Sequence, residues 1–405
     1  MSFSDFGHIL MQDGSVKGAG DMRYGQLGDG ATVLNQNTFA NSLITNVKQW
    51  DSGLYHAIFL LNDGSVGGIG RNSDGQLGVG DTANRKLIQK SLITEKVKQI
   101  ACGLLYTIFL LEDGTVKAVG SNVDGQLGLR HTTTPQIEIQ NVPISDVKQV
   151  ACGRSHTLFL LNDGTVKSVG NNLYGQLANG SQTNQAIIQT VNISNVIQIA
   201  CGYYSSYFLM SDRTVKSAGY NTYGQLGLGN TVSPKTTPQT SIFSNVKKIV
   251  SGSNHIFCLM MDGSVKAVGA NSLGQLGIGN TNHPVSIIQN ISLQDVVNIS
   301  CGANHTIFLM KDGTIKSVGE NTYGQLGNGN QSNQSTIQNI SLVGVKGVWG
   351  LDSFTRKNYS LIKDRSYYKR YLSKVVKVLT KDTSYAEGAL YRVPLIKQAK
   401  SLTLS

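Results

Sequence analysis

A unit of 49 or 50 residues recurs seven times along the chain, and no other feature restricts its folding so tightly. Gly-Gln-Leu triplets begin at Gly25, Gly75, Gly125, Gly175, Gly224, Gly274 and Gly324. Six are followed by glycine and the fourth by Ala178. An aspartate stands ahead of each triplet: Asp13, Asp63, Asp113, Asp163, Asp212, Asp262 and Asp312. Six of these precede glycine, and the fifth precedes Arg213.

The third unit shows how one repeat reads physically. Val97 to Ile100 has the pattern of a short strand, Cys102-Gly103 follows, and Tyr106 to Leu111 is a second strand. Asp113-Gly114 supplies a hairpin turn, Thr115 to Val119 a return strand, and Gly125 to Gly128 opens a polar excursion. Ile108 to Leu111 is apolar on both faces, whereas a half-solvated antiparallel strand alternates. The runs are too short and too rich in Val, Ile and Phe for helical repeats, and the unit is too long for leucine-rich repeats. Sheets stacked radially, each hidden between two neighbours, fit best.

The two ends complement each other. Short Val-led strands start at Val47, Val97, Val147, Val196, Val246, Val296 and Val345, but none precedes the first hairpin at Asp13. The last, Val345 to Val348, has no Asp-Gly hairpin after it. Residues 340–350 are therefore expected to join the sheet begun by residues 6–20 and close a ring. The predicted fold is an all-β, seven-bladed β-propeller over residues 1–350, closed by its N- and C-terminal segments, with a short extension over 351–405. An eighth hairpin at Tyr359 to Tyr368 is the weaker alternative, because it lacks the glycine block.

The stretches CGRSHTLFLLNDGTVKSVGNNLYGQLANG, from Cys152, and CGANHTIFLMKDGTIKSVGENTYGQLGNG, from Cys301, resemble the RCC1 (regulator of chromosome condensation) repeat family. The resemblance covers roughly residues 6–350 and implies a seven-bladed propeller with circular closure. Members of the family include an exchange factor for the small GTPase Ran, chromatin binders, parts of ubiquitin ligases, plant ultraviolet receptors, and bacterial and phage proteins. The fold is thus a platform for several activities. The exchange role needs an inserted wedge, and no repeat here carries an insertion. The receptors use clustered tryptophans, and this chain has Trp50 and Trp349 alone. The ligases need a further large domain that a tail from 351 to 405 cannot supply.

Candidate functional residues fall into three sets. Lys17, Lys117, Lys167, Lys216, Lys266 and Lys316 follow the Asp-Gly turns and could form a basic ring for an anionic partner. The competing reading is that they edge the blades and pair with acids. A second series, Lys48, Lys98, Lys148, Lys247 and Lys346, lies in the Val-led strands. Tyr24, Tyr174, Tyr223 and Tyr323 precede the glycine block and are candidate anchors, as are Tyr203 and Tyr204. The third set lies in the tail, which holds 12 of the 35 Lys and Arg but four acids and so carries +8 of the formal +11. Within it, Tyr367, Lys369, Arg370, Tyr371, Lys374 and Lys377 are candidates for docking on an assembly subunit.

Other chemistry is weakly signalled. His56, His156, His255 and His305 share one repeat position and read as structural groups hydrogen-bonded to neighbouring loop backbone, not metal ligands. Four of the five cysteines share another position and read as buried fillers. The Gly-Gln-Leu block lacks the ending of a phosphate-binding loop. No catalytic residue, cofactor or metal is therefore assigned, and no enzyme activity is expected. The expected role is a non-enzymatic binding propeller of bacterial or phage type. It would be a virion, tail or surface component recognising a protein or glycan. The alternatives are a small-GTPase regulator and an intracellular scaffold whose basic tail touches nucleic acid. No apolar run is long enough for a transmembrane helix, and residues 1–10 lack a signal-peptide pattern. Synthesis in the cytoplasm is expected, with virion association or release left open.

Overall fold

The computed structural model describes residues 4–30 and 34–348. The basic extension, its candidate docking residues and the alternative eighth hairpin lie outside them. The described residues form seven four-stranded antiparallel sheets. The chain-order blades 2 to 7 begin with inner strands Val47–Ser52, Val97–Cys102, Val147–Cys152, Val196–Cys201, Val246–Ser251 and Val296–Cys301. Inner strands of successive blades face one another around the axis.

Blade 1 is composite, as the incomplete ends predict. Phe6–Met11, Ser15–Asp21 and Asn35–Thr45 supply three strands, and Val345–Val348 supplies the innermost. Ile9 pairs with Val348, Leu10 with Gly347 and Met11 with Val345. Val345, Val348, Ile9 and Ile307 share one buried cluster, so the closing strand packs against blade 7 as well.

The second strand of each blade is buried on both faces, which accounts for its uninterrupted apolar run. Phe59, Phe109, Phe159, Phe208 and Phe308 occupy one register position and are inaccessible to solvent. Burying each contributes about 1.5–3 kcal/mol. Blade 6 places Cys258 there and shifts its ring to Phe257, which meets Phe308 edge-on at 5.5 Å. All five cysteines are buried and free.

Polar side chains tie blade to blade. Gln99 donates to Val150 O (2.9 Å) and accepts from Val150 N (3.1 Å), as a paired strand would. Gln149 and Gln198 do the same to Ile199 and Ile249. In blade 7, Asn298 donates to Val348 O at 2.9 Å and so anchors the closing strand. The histidine position works similarly, but its partner is a side-chain hydroxyl of the next blade and not the loop backbone expected from the sequence. Thr107 Oγ1 donates to Gln76 O at 2.8 Å, so His56 Nε2, 3.4 Å from that hydroxyl, must be the donor between them. His156 and Ser206, and His255 and Thr306, repeat the contact.

The first glycine of each Gly-Gln-Leu triplet is forced by the next blade. At Gly125, φ is 78°, and a Cβ would lie 2.5 Å from Ala186 Cα in the outer strand of blade 4. Behind it, the triplet glutamine accepts the backbone N–H two residues earlier, as Gln176 does from Tyr174 at 2.9 Å, while Leu177 is buried. The block is a joint between blades.

Candidate binding face

The propeller has two unlike ends. At one, the Asp-Gly hairpins meet the turns that lead into each inner strand, as Val147 N→Gly114 O and Asn162 N→Asp146 O show. At the other, the loop after each inner strand meets the loop after each third strand, through bonds such as Asn171 N→Ser155 O at 2.7 Å and Tyr220 N→Tyr204 O at 2.9 Å. The candidate lysines lie toward the hairpin end and the candidate tyrosines lie at the loop end.

Charge is largely offset at the hairpin end. Each Asp-Gly aspartate accepts both the amide and the hydroxyl of the Ser or Thr two residues on, for example Asp163 from Thr165 at 2.9 and 2.7 Å. Those hydrogen bonds hold the carboxyls of Asp13, Asp163, Asp212, Asp262 and Asp312 below their usual value, and the lysine of the same blade adds to the effect. Lys17, Lys117, Lys167, Lys216, Lys266 and Lys316 are all half-buried. Lys17 donates to Asn41, Lys167 to Thr190 and Lys316 to Asn339, while Lys117 pairs with Glu95 at 2.5 Å. Lys17, Lys167 and Lys316 thus sit against their own outer strands, and Lys117 is held by Glu95 in the connection between blades 2 and 3. Hollows at this end recur at equivalent positions, beside Asp63–Ser65 in one blade and Asp262–Ser264 in another. Such recurrence marks repeat geometry.

The loop end is different in every blade. The first residues after the inner strand's glycine are Leu54, Leu104, Arg154, Tyr203, Ser253 and Ala303, and their backbones form a chain around the axis. Leu54 N donates to Leu104 O, Leu104 N to Arg154 O, Arg154 N to Tyr203 O, and Tyr203 N to Ser253 O, at 2.8–3.2 Å. Ser253 N to Ala303 O and Ala303 N to Ser4 O continue it into blade 1.

On this frame the structure gathers aromatic rings from blades 4, 5 and 6. Tyr174 lies 4.9 Å from Tyr204 and 4.8 Å from Tyr220 between ring centroids. Tyr203 meets Tyr204 at 5.0 Å, and Tyr220 meets Tyr223 at 5.6 Å, both edge-on. His283 extends the row at 4.8 Å from Tyr223. The guanidinium of Arg154 covers Tyr203 and Tyr204 at 5.1 and 5.5 Å and donates to the Tyr204 hydroxyl. Blades 7, 1 and 2 hold a smaller cluster: Arg23 lies 5.1 Å from the Tyr55 ring and 5.2 Å from Tyr323, and Tyr24 meets Tyr55 at 5.2 Å. Arg23 is clamped by Asp21 at 2.8–3.1 Å.

The candidate tyrosines thus separate into two groups, Tyr174 and Tyr223 in the larger array and Tyr24 and Tyr323 about Arg23. The sequence reading missed Arg23, Tyr55, Arg154, Tyr220 and His283. For Tyr55 and Arg154 the signal was the pair of positions after each Cys-Gly or Ser-Gly, which change from blade to blade; Arg23, Tyr220 and His283 lie at or after the ends of third strands and carried no such mark. Among the described residues no three His, Cys, Asp or Glu side chains are grouped to hold a metal. No helix among them is long and apolar enough to cross a membrane.

The ring of seven closed blades, the joint-forming glycine block and the shared histidine position define a repeat propeller. The RCC1-like domain model matches residues 89–358, and the regulator of chromosome condensation (RCC1) repeat model matches residues 63–110. The chain belongs to the RCC1-like domain family. Among solved structures it is similar to human WBSCR16, at 22% identity and TM-score 0.74, over 81% of this chain and 94% of that one. Prp20p of Saccharomyces cerevisiae, solved in a study of its binding properties to Gsp1p and histones, matches at 20% identity and TM-score 0.73, over 80% and 85%. The same yeast protein bound to Kap60 matches at 20% and 0.74, over 90% and 94%. At these identities the likeness establishes the fold. No curated protein matches the chain.

Proposed function

We propose that the chain is a non-enzymatic recognition module that holds a protein partner on its loop face. The observation that carries this reading is the row of six rings, Tyr203, Tyr204, Tyr174, Tyr220, Tyr223 and His283, flanked by Arg154. Tyr and Arg dominate the energetics of protein interfaces, because they cover much area at low entropic cost and keep a polar tip. Sugar stacking is less well served, since several of these rings meet edge to face and cover one another. That yeast Prp20 is found with Gsp1p, histones and Kap60 supports a protein as the class of partner. A phage virion or tail, or a bacterial surface, is the setting in which we place the module.

The test uses the chain as bait against proteins of its source cells or particles, beside a glycan array and a nucleotide-release assay on a Ran-like GTPase. One protein partner is expected, retained by a Lys167→Ala/Lys316→Ala variant and weakened at least about tenfold by Tyr220→Ala/Tyr223→Ala at unchanged thermal midpoint. Binding confined to glycans, catalysed nucleotide release, or loss through the lysines alone would overturn the reading.

A further inference from the structure

Beside the aromatic row lies a hollow of about 240 Å³ between blades 3 and 4, walled by Leu104, Leu105, Val123 and Leu173, with Arg154 and Tyr204 at its side. Val123 and Leu173, at equivalent positions of adjacent blades, are each 57% exposed and leave apolar surface open beside the hollow. The volume falls short of the roughly 300–1,000 Å³ of drug-sized sites and suits one or two side chains.

Arg154 gives the hollow its chemistry. The ion pairs among the described residues involve Arg23, Arg71, Arg85 and Lys117, so none involves Arg154. Its counterpart across the face, Arg23, sits in a similar aromatic setting but is neutralised by Asp21. A guanidinium has five N–H donors, and Arg154 spends one on Tyr204 while the rings hold its plane. The one acid at the rim, Asp124, accepts from the neutral amide of Asn184 at 2.8 Å and keeps its charge, but forms no ion pair with Arg154. A positioned cation without an ionic partner, set against bare apolar walls, is complementary to a carboxylate next to an aliphatic side chain. A phosphorylated segment fits less well, because phosphate-reading sites gather several arginines.

We propose that this hollow takes an acidic segment of the partner protein, with a Glu or Asp carboxylate on the Arg154 guanidinium and the adjoining apolar side chain against Val123 and Leu173. The proposal rests on the loop-face reading and names the chemistry of its partner.

The probes are blocked nonapeptides centred on Leu-Glu-Leu, Leu-Gln-Leu, Leu-Lys-Leu and Ser-Glu-Ser, titrated into the full chain by fluorescence anisotropy. Leu-Glu-Leu is expected to bind about tenfold more tightly than Leu-Gln-Leu and to exceed both other peptides. Arg154→Gln should erase the Glu-over-Gln preference, Arg154→Lys should restore part of it, and Leu173→Asp should abolish binding, all with unchanged thermal midpoints. Equal binding of Glu and Gln peptides, a preference that survives Arg154→Gln, or no binding at millimolar peptide would overturn it. If Arg154→Gln keeps the protein partner while Tyr220→Ala/Tyr223→Ala loses it, the hollow falls and the loop face stands. If the peptides bind as expected but the partner ignores the aromatic row, the wider reading falls instead.

Discussion

Arg213, Ala178 and Arg130 stand where the other blades carry glycine, and each keeps glycine's left-handed backbone, with φ of 70°, 56° and 67°. The left-handed region costs an L-residue roughly 1–2 kcal/mol, partly offset by the lower chain entropy of a non-glycine in the unfolded state. Ala178 has a compensation, since its methyl is buried in the core shared by blades 4 to 6. Arg213 is half-exposed in its hairpin and has no such packing. Arg213→Gly is expected to raise stability by up to about 1 kcal/mol, read as a shift in the urea midpoint at constant slope. Such departures were legible from the repeat itself, because six aspartates precede glycine and one precedes arginine. The reason for the triplet glycine was not. Only the structure brings Ala186 over Gly125, and residues 61 positions apart carry no shared pattern in the chain.

Among elements, the closing strand Val345–Val348 concentrates several contacts in four residues. It supplies backbone partners to Ile9, Leu10 and Met11, receives Asn298, and buries two valines. Val345→Asp/Val348→Asp in the full chain should cost several kcal/mol, since each carboxylate would enter an apolar cluster without a partner. Val343→Asp, at a position 75% exposed, should change stability by less than about 0.5 kcal/mol. Chemical denaturation of the three proteins distinguishes them. Closure was foreseeable because two partial blades at opposite ends sum to one. The glutamine ladder was not, since Gln99 and Gln149 look like ordinary polar residues of an alternating strand until the inner strands are set side by side.

Across the whole molecule the buried imidazoles act in concert. Burial pushes His56, His156 and His255 down to about 3, and His8 and His305 down to about 4. In the unfolded chain these groups bind protons near 6.5, so below that pH the unfolded state takes up protons that the folded state refuses. Stability is therefore expected to fall progressively from about pH 6.5 toward pH 4. Asp5 works in the opposite sense: burial, reinforced by Glu320 and Asp21, pushes its carboxyl up to about 7, so its share of stability is present in acid and lost toward neutrality. Asp51, its carboxyl also raised by burial, acts in the same sense as Asp5, and two such carboxyls against five histidines leave the net loss on the acid side. Urea midpoints from pH 7.5 to 4 test this, and His156→Ser, which copies Ser205 of blade 5, should flatten the slope. The fold at this scale was almost fully readable. The binding face was half readable, because tyrosine anchors show in the repeat, whereas their neighbours across blades depend on the radius and twist of the ring.

The belt of amide-to-carbonyl links from Leu54 to Ser4 has a consequence for how such a face can change. Every link is made by peptide groups, so Leu, Arg, Tyr, Ser and Ala all serve equally as couplings. Specificity and architecture are thereby written in different atoms. A lineage could exchange every side chain displayed there and acquire a new partner without loosening a single coupling.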